Sequence, residues 1–503
     1  MDVASGGAML DKTAAQDGTD RPQAASGTAT VWDIAVVGAG SAGLPAAIFA
    51  ARRGARVLLL DHAQQLGGSL WVATGQMSAA GTRLQREHGV VDTPDLHFKD
   101  VMRISRGTAN PGLVRLAVDN AADTFDWLMD AGFEPLPDHP VKGFGHEPYR
   151  EKRYYWGAEG GLSVKNVLVP IVEKLADEGL ITIALGHDVT RLLTDDEGGI
   201  IGLAANGPDG IEHTYHAGAV ILACGGYAGN PEMFERLNGY PQYNAAPYPW
   251  SRGDGLKLGL SVGGYARGQE NVFVNFGSLF DTDTFPAMIT GRIEHFPERR
   301  KPWEIYVNVH GKRFVREDIE SVDAREMALL HQPDYRYWIV FDEAILQNAP
   351  PIVVGWTREQ MIEAFERAGP AFLTADTLEG LAQKAGIDEN GLISAVSGYN
   401  YGVQTGNDFF GRQHLPRAIA QGPFYAIRMQ ASAISSSIGL AVDDRLRVVR
   451  EDGSPITNLY AAGEVLGSSQ TMGKAACGGM MVTPAMTFGR LLGQSLVPVG
   501  EPA

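Results

Sequence analysis

Three glycines define the first chemistry open to this chain. Gly38, Gly40 and Gly43 fall at the spacing GxGxxG, and Asp61 follows roughly 20 positions later. Each position has a physical task. The first glycine permits a tight turn, the second lets main chain touch a pyrophosphate, and the third lets a helix pack on the preceding strand. The helix N-terminus then offers free N–H groups to the phosphates, and the acid holds ribose hydroxyls. Alone the pattern is weak. Here the run "WDIAVV" precedes it, a small-residue run follows, and a second apolar run ends in Asp61.

More glycines follow along the chain. Gly67, Gly68 and Ser69, then Gly75, form a second loop soon after the acid. Backbone approaching the same ligand further along its length favours FAD over NAD. Residues 217–230 read as a buried strand ending in Gly225 and Gly226, and residues 458–467 as a strand ending in small residues and Glu464. In a parallel sheet such ends converge on the ligand crevice. Residues 471–493 begin nearly bare of side chains and then become helical, with Thr483 as N-cap and Pro484 as first helical residue. The bare stretch 475–479 reads as main chain set against a flat ring and a substrate. The plainer alternative is a tight helix start, with Met480 and Met481 as core filler.

Moving hydrogen between a flavin and a carbon substrate needs a group that gives or takes a proton and donors for developing negative charge. Residues 150–161 hold Arg153, Tyr154, Tyr155 and Trp156; residues 298–330 hold Trp303, Tyr306, Arg316, Asp318 and Arg325. A tyrosine donates a hydrogen bond without permanent charge, which suits an apolar ketone. Tyr154 or Tyr155 is therefore the first candidate and Arg325 the second, with Tyr306 and Arg316 behind them. His295 and His310 read as surface residues. The alternative for each candidate is an aromatic core and a solvated arginine.

These groups need a large scaffold, and 503 residues with 44% hydrophobic content supply two or three cores. A net charge of −17 repels nucleic acid and anionic lipid, so neither is an expected partner. The only two cysteines, Cys224 and Cys477, cannot build an iron–sulfur cluster, a c-type haem attachment or a zinc ribbon. No metal is expected, and a reducing, cytoplasmic setting fits. No apolar run spans a membrane, and residues 1–31 read as a disordered leader.

The segments "VVGAGSAG", "GGSLWVATGQMSAAG", "VILACGGYAGN", "SRGDGLKLG", "VNVHGKRFVRED", "NLYAAGEVLG" and "GGMMVTPAMTFGRLLG" occur in one order. Together they resemble the flavoprotein family of fumarate reductase, succinate dehydrogenase and 3-ketosteroid dehydrogenases. The resemblance implies an α/β fold: a split Rossmann-like FAD domain over 32–270 and 437–497, with an inserted α+β clamp over 271–436. Residues 388–406 would form a helix and turn in the clamp. Implied FAD contacts are Gly38, Gly40, Ser41, Ala42, Gly43, Asp61, His62, Gly68, Ser69, Gly75, Val189, Ala223, Gly225, Asp254, Glu464, Gly479, Met481 and Val482. In that family the last helix points its N-terminus at the flavin pyrimidine edge, favouring hydride acceptance. No histidine stands at the covalent attachment pattern, so FAD is expected without a bond.

Departures from the family narrow the substrate. Where its fumarate reductases place two histidines and two arginines, this chain has Asn275, Ser321 or Val322, Ile434 and Ser435, and Ala476. A buried dianion without cations loses hydration uncompensated. Gly478 matches the amide that holds a ketone oxygen in ketosteroid dehydrogenases, but the loop tyrosine is replaced by Ala475 and Ala476. The expectation is a dehydrogenase that desaturates a neutral cyclic or apolar carbonyl compound. Alternatives are an ene-reductase and a flavin protein without net redox turnover. The electron partner and the oligomeric state are not legible.

Overall fold

Apolar runs without polar alternation make strands buried on both faces. Two such runs open the ordered chain, as β1 (Val31–Val37) and β2 (Val57–Asp61). The computed structural model describes residues 31–143 and 146–497. The expected leader lies outside these, apart from Val31, with which β1 begins. Then come β3 (Ile181–Leu185), β4 (Asp188–Thr194), β5 (Ile200–Asn206) and β6 (Glu212–Leu222). A second set follows: β7 (Asn275–Leu279), β8 (Gly291–Arg292), β9 (Ile305–Val307), β10 (Arg336–Asp342), β11 (Phe372–Ala375) and β12 (Phe424–Ser432). Finally β13 (Arg447–Val449) and β14 (Pro455–Ala461) return to the first sheet.

The first sheet runs β13-β14-β6-β1-β2-β3, with β5 joined to β6 and β4 to β5. Strands β14, β6, β1, β2 and β3 are parallel. Register aligns their carboxyl ends: Val37 pairs with Leu60 and Leu222, and Leu222 with Ala461. This is the α/β, parallel-sheet architecture that the motifs imply. Crossover helix α1 (Gly43–Ala51) is buried at every position but Phe49, as a helix apolar on all sides must be. It is covered by the chain's last helix. There a Cβ at Gly489 would lie 2.0 Å from the Ala42 carbonyl oxygen, so only glycine permits the approach.

The second sheet is antiparallel, ordered β8-β7-β12-β10-β9, with β11 on β12. Its central β12 is buried at all nine residues. Register shifts between Asn275 and Ser278, a bulge that takes Phe276 N–H out of the ladder. Helix α2 (Val322–Leu329), N-capped by Ser321, lies against this bulge, where Glu326 accepts the freed N–H at 3.2 Å. The helix expected within 388–406 spans Glu389–Thr405 and ends on Gly406 in the left-handed region.

Helix α3 (Val482–Ser495) starts one residue before Thr483, which corrects the expected cap. The Thr483 hydroxyl instead accepts a hydrogen bond from Ser78 N at 2.8 Å, so tertiary structure takes the oxygen that a cap would have used. Among the described residues no helix is long and apolar enough to cross a membrane.

Candidate functional site

The carboxyl ends of β1, β2, β6 and β14 open on a cleft of about 800 Å³. Thirteen of the residues picked from sequence line it: Gly38, Gly40, Ser41, Ala42, Asp61, His62, Gly68, Ser69, Val189, Ala223, Gly225, Asp254 and Glu464. At Gly38 (φ +104°) a Cβ would lie 2.4 Å from the Ala223 carbonyl oxygen, and at Gly43 it would lie 1.8 Å from the Gly38 oxygen. Both glycines are therefore forced by the protein's own packing. Gly40 is different. Its Cβ would meet nothing nearer than Gly68 Cα at 3.7 Å. The bare position keeps the cleft open rather than relieving a clash, as a pyrophosphate cradle requires.

Asp61 accepts Ala39 N–H at 2.7 Å and Ala63 N–H at 2.8 Å. Burial pushes its carboxyl up, and these N–H groups oppose the push. The acid thus braces the glycine turn while lining the cleft. At the outer end Arg252 bridges Asp188 at 2.8 Å and Asp254 at 2.6 Å, beside the His62 and Trp250 rings with centroids 4.5 Å apart. Sequence reading missed His187, Asp188, Tyr248, Trp250 and Ser251 here, because no motif marks side chains that loops bring in from the rim. The Tyr248 hydroxyl is buried and has no hydrogen-bond partner, a donor that the cleft's occupant would satisfy.

A smaller cleft of about 280 Å³ shares Gly463 and Glu464 with the first and is lined also by Ser468, Thr471, Met481 and Pro484. Glu464 accepts Ser436 N–H at 2.8 Å, while burial pushes its carboxyl up. Among the described residues, the N–H groups of Gly478, Gly479, Met481 and Val482 donate to no protein acceptor. Bare donors at a helix N-terminus suit the electron-rich edge of a reduced flavin. Free donors, the open cradle and the orphaned hydroxyl all fit FAD.

At two of the bare glycines the missing side chain is required by the protein's own packing. A Cβ at Gly479 would lie 2.3 Å from the Met77 carbonyl carbon, and at Gly75 it would lie 2.4 Å from that of Gly160. Protein packing explains both. Gly478 is bare because Tyr154 covers it, with ring carbon Cζ 2.8 Å from the Cβ position. Tyr149 donates to the Gly478 carbonyl oxygen at 2.5 Å. The Tyr154 hydroxyl has no protein partner among the described residues, so the sequence's first candidate does stand at this loop.

The other candidates stand elsewhere. Tyr155 is 0% exposed, its hydroxyl shared with Thr82 at 2.8 Å and donating to the Ala79 carbonyl at 3.3 Å. Tyr306 is buried against Phe276 and Tyr337. Arg325 is 0% exposed and spends its guanidinium on the main-chain carbonyls of Glu317, Ile319 and His295. Arg316 and Asp318 line a separate cleft of about 850 Å³ with Glu298, Lys301 and His414. His295 is largely enclosed rather than on the surface: its Nδ1 is buried without a partner, and burial with Arg325 nearby holds the ring neutral.

Three residues that no motif marked meet at the same loop. His146 Nδ1 lies 3.1 Å from Asp323 Oδ1 and 3.9 Å from Glu326 Oε2. Asp323 Oδ1 also accepts Ala476 N–H at 3.2 Å, which joins the group to the bare stretch. Burial works against charge on His146, but Glu326 and Asp323 outweigh it and hold the imidazole up to about 9. Burial pushes Glu326 up to about 7, with His146 opposing. Burial also raises Asp323, but His146 and the N–H groups of Glu147 and Ala476 overcome it and keep it below the usual carboxylate value. The ligand atoms of these residues lie within 4.8 Å of one another.

Residues 33–480 match the FAD binding domain family. The chain is 31% identical over 484 residues to a fumarate reductase (cytochrome) of Shewanella frigidimarina, covering 95% of this chain and 80% of that relative. It is 27% identical over 551 residues to 4-oxocyclohexanecarboxylate 2-dehydrogenase of Sinomonas cyclohexanicum, covering 93% of each. Among solved structures, 3-ketosteroid Δ1-dehydrogenase from Sterolibacterium denitrificans shares the fold with a TM-score of 0.70, at 20% identity over 93% of this chain and 99% of that one.

Proposed function

This chain belongs to the FAD binding domain family and is an FAD-dependent oxidoreductase acting on CH–CH bonds, and from that premise we propose that it reduces an electron-poor C=C bond in a substrate without paired carboxylates. One observation carries the reading. Asp323 and Glu326 hold the Ala476 and Phe276 N–H groups, among the positions where the family's dicarboxylate grip would stand. Asp323 and Glu326 offset the charge of His146, so the group offers fumarate no net cation and accepts a neutral guest. The nearby protonated His146 supports reduction over desaturation, since a proton must be given rather than taken.

FAD, when bound, supplies a two-electron hydride carrier. Gly38, Gly40 and the N-terminus of α1 would hold its pyrophosphate, Asp61 its ribose, and the free N–H groups at the start of α3 its pyrimidine edge. No covalent bond to FAD is proposed; acid precipitation should leave a colourless pellet. Residues 271–436 are read as the clamp, with residues 32–270 and 437–497 as the FAD domain. The Tyr154 hydroxyl and Gly478 N–H would polarise the substrate's carbonyl. The unpaired Cys224 and Cys477 fit a reducing, cytoplasmic setting.

A second reading, desaturation of a neutral ketone, is favoured by this same uncharged donor pair and by the similarity to a dehydrogenase along its length. The test is anaerobic. Purified protein, its flavin photoreduced, is mixed with cyclic enones, unsaturated amides and fumarate. Reoxidation by the neutral compounds and not by fumarate is expected; fastest reoxidation by fumarate would overturn the substrate class. Bleaching of oxidised protein by saturated ketones, without reoxidation by enones, would establish the second reading instead.

A further inference from the structure

We propose that His146 gives the substrate its proton, with Asp323 and Glu326 as positioning residues, a role that rests on the reductase reading above. The argument begins with the two ring nitrogens. Nδ1 is committed to Asp323 Oδ1 at 3.1 Å. Nε2 has no protein partner among the described residues. That single Asp323 oxygen also takes Ala476 N–H at 3.2 Å, while Oδ2 takes Glu147 N–H at 3.2 Å. One carboxylate therefore fixes the imidazole against the loop that carries Gly478. Glu326 is fixed in turn by Phe276 N–H, freed at the β7 bulge.

Exposure separates this group from an ordinary structural ion pair. Arg300 with Glu304 and Arg313 with Glu317 are buried at both ends, at 5% or less of side-chain surface. His146 keeps 37% of its side chain open while Asp323 and Glu326 keep 5% and 4%. Buried acids holding one nitrogen of a ring whose other edge is open is the arrangement of a proton donor. The charged groups facing it are Asp323, Glu326 and Arg325 from α2, and Glu147 with its partner Arg103. Arg292 and His295 complete the set behind Glu326, and Cys477 faces Asp323 from the loop.

The step balances as follows. A hydride donor of the dihydroflavin class adds two electrons and one hydrogen to one alkene carbon. The displaced π pair forms a C–H bond at the neighbouring carbon with the proton from Nε2. The imidazolium becomes imidazole, Asp323 stays ionised, and water at the open edge restores the proton.

The experiment compares full-length holoprotein as wild type, His146→Gln and Asp323→Asn. Flavin content and melting temperature are checked first. Single-turnover reoxidation of photoreduced protein by the fastest enone is then followed from pH 6 to 10. Wild type should hold its rate and fall above about 9. H146Q should be slower by on the order of 10²-fold or more, without that fall. D323N should move the fall toward the ordinary imidazole value of about 6.5. NMR titration of the His146 ring, assigned by its loss in H146Q, should show the same displacement with no substrate present. Equal rates and pH profiles in wild type and H146Q, or a ring titrating at its ordinary value, would overturn the role. Wild type reoxidised by no enone would sink the reductase reading and this role with it; an active wild type with an equally active H146Q would sink only this role. Should H146Q lose its flavin, the wild-type ring titration, assigned through D323N, decides the matter.

Discussion

Gly40 and Gly43 sit three residues apart and should fail in opposite ways. Gly40→Ala adds a methyl group that touches only Gly68 Cα at 3.7 Å, so the fold should survive with stability within roughly 0.5 kcal/mol. FAD affinity, read by flavin fluorescence titration, should drop at least about tenfold, or ~1.4 kcal/mol. Gly43→Ala drives its Cβ to 1.8 Å from a carbonyl oxygen and should lose folded protein, seen by far-UV circular dichroism even without FAD. Tyr154→Phe keeps the ring over Gly478 and removes only the hydroxyl. Flavin content should be unchanged, while reoxidation by an enone slows by about 10²-fold, the usual cost of one oxyanion donor. Such glycines were legible because backbone geometry leaves few alternatives at a pyrophosphate turn. His146 was not: it stands alone in "GFGHEPYR", and its partner Asp323 is 177 positions away.

At the scale of elements, the segment carrying Tyr149 and Tyr154 is pinned by a buried charge cluster. Arg153 reaches Asp92 at 2.7 and 2.9 Å and Asp100 at 2.9 Å, with all three side chains at 2% exposure or less. Arg153→Met leaves Asp92 without a cation, while Asp100 keeps Arg103 at 3.0 Å, and should cost about 3–5 kcal/mol in denaturant unfolding. His146 stabilises the group that links α2 to residues 475–479. Its folded pKa, about 9, lies above the ordinary ~6.5, so its contribution is complete below pH 6.5 and is lost as pH rises through 9. Melting temperature should fall between pH 7 and 10 in wild type and less in H146Q. Strands ending in glycine could be read directly, as could the helix Glu389–Thr405, since local pattern and caps agree there. The start of α3 could not. Thr483 and Pro484 carry a cap signature, but Ser78 from the far side of the fold claims the hydroxyl.

For the whole molecule, the family and the parallel sheet were readable because six of the seven spaced segments line the two clefts at the carboxyl ends of the first sheet, and no single one had to be decisive. The substrate was not readable, since the groups that face it come from separate loops and helices. With the ligand between elements from both ends of the chain, FAD should stabilise the entire fold. Adding it at about 100 times its Kd should contribute roughly 2.7 kcal/mol, measured as a concentration-dependent rise in melting temperature.

The bond from Ser78 to Thr483 spans 405 positions, and Gly489 seats on the carbonyl of Ala42. During synthesis the glycine turn leaves the ribosome long before the helix that closes over it. Until then α1 offers a greasy flank to chaperones, and a nascent polypeptide stalled ahead of Gly489 should be captured by them and remain colourless.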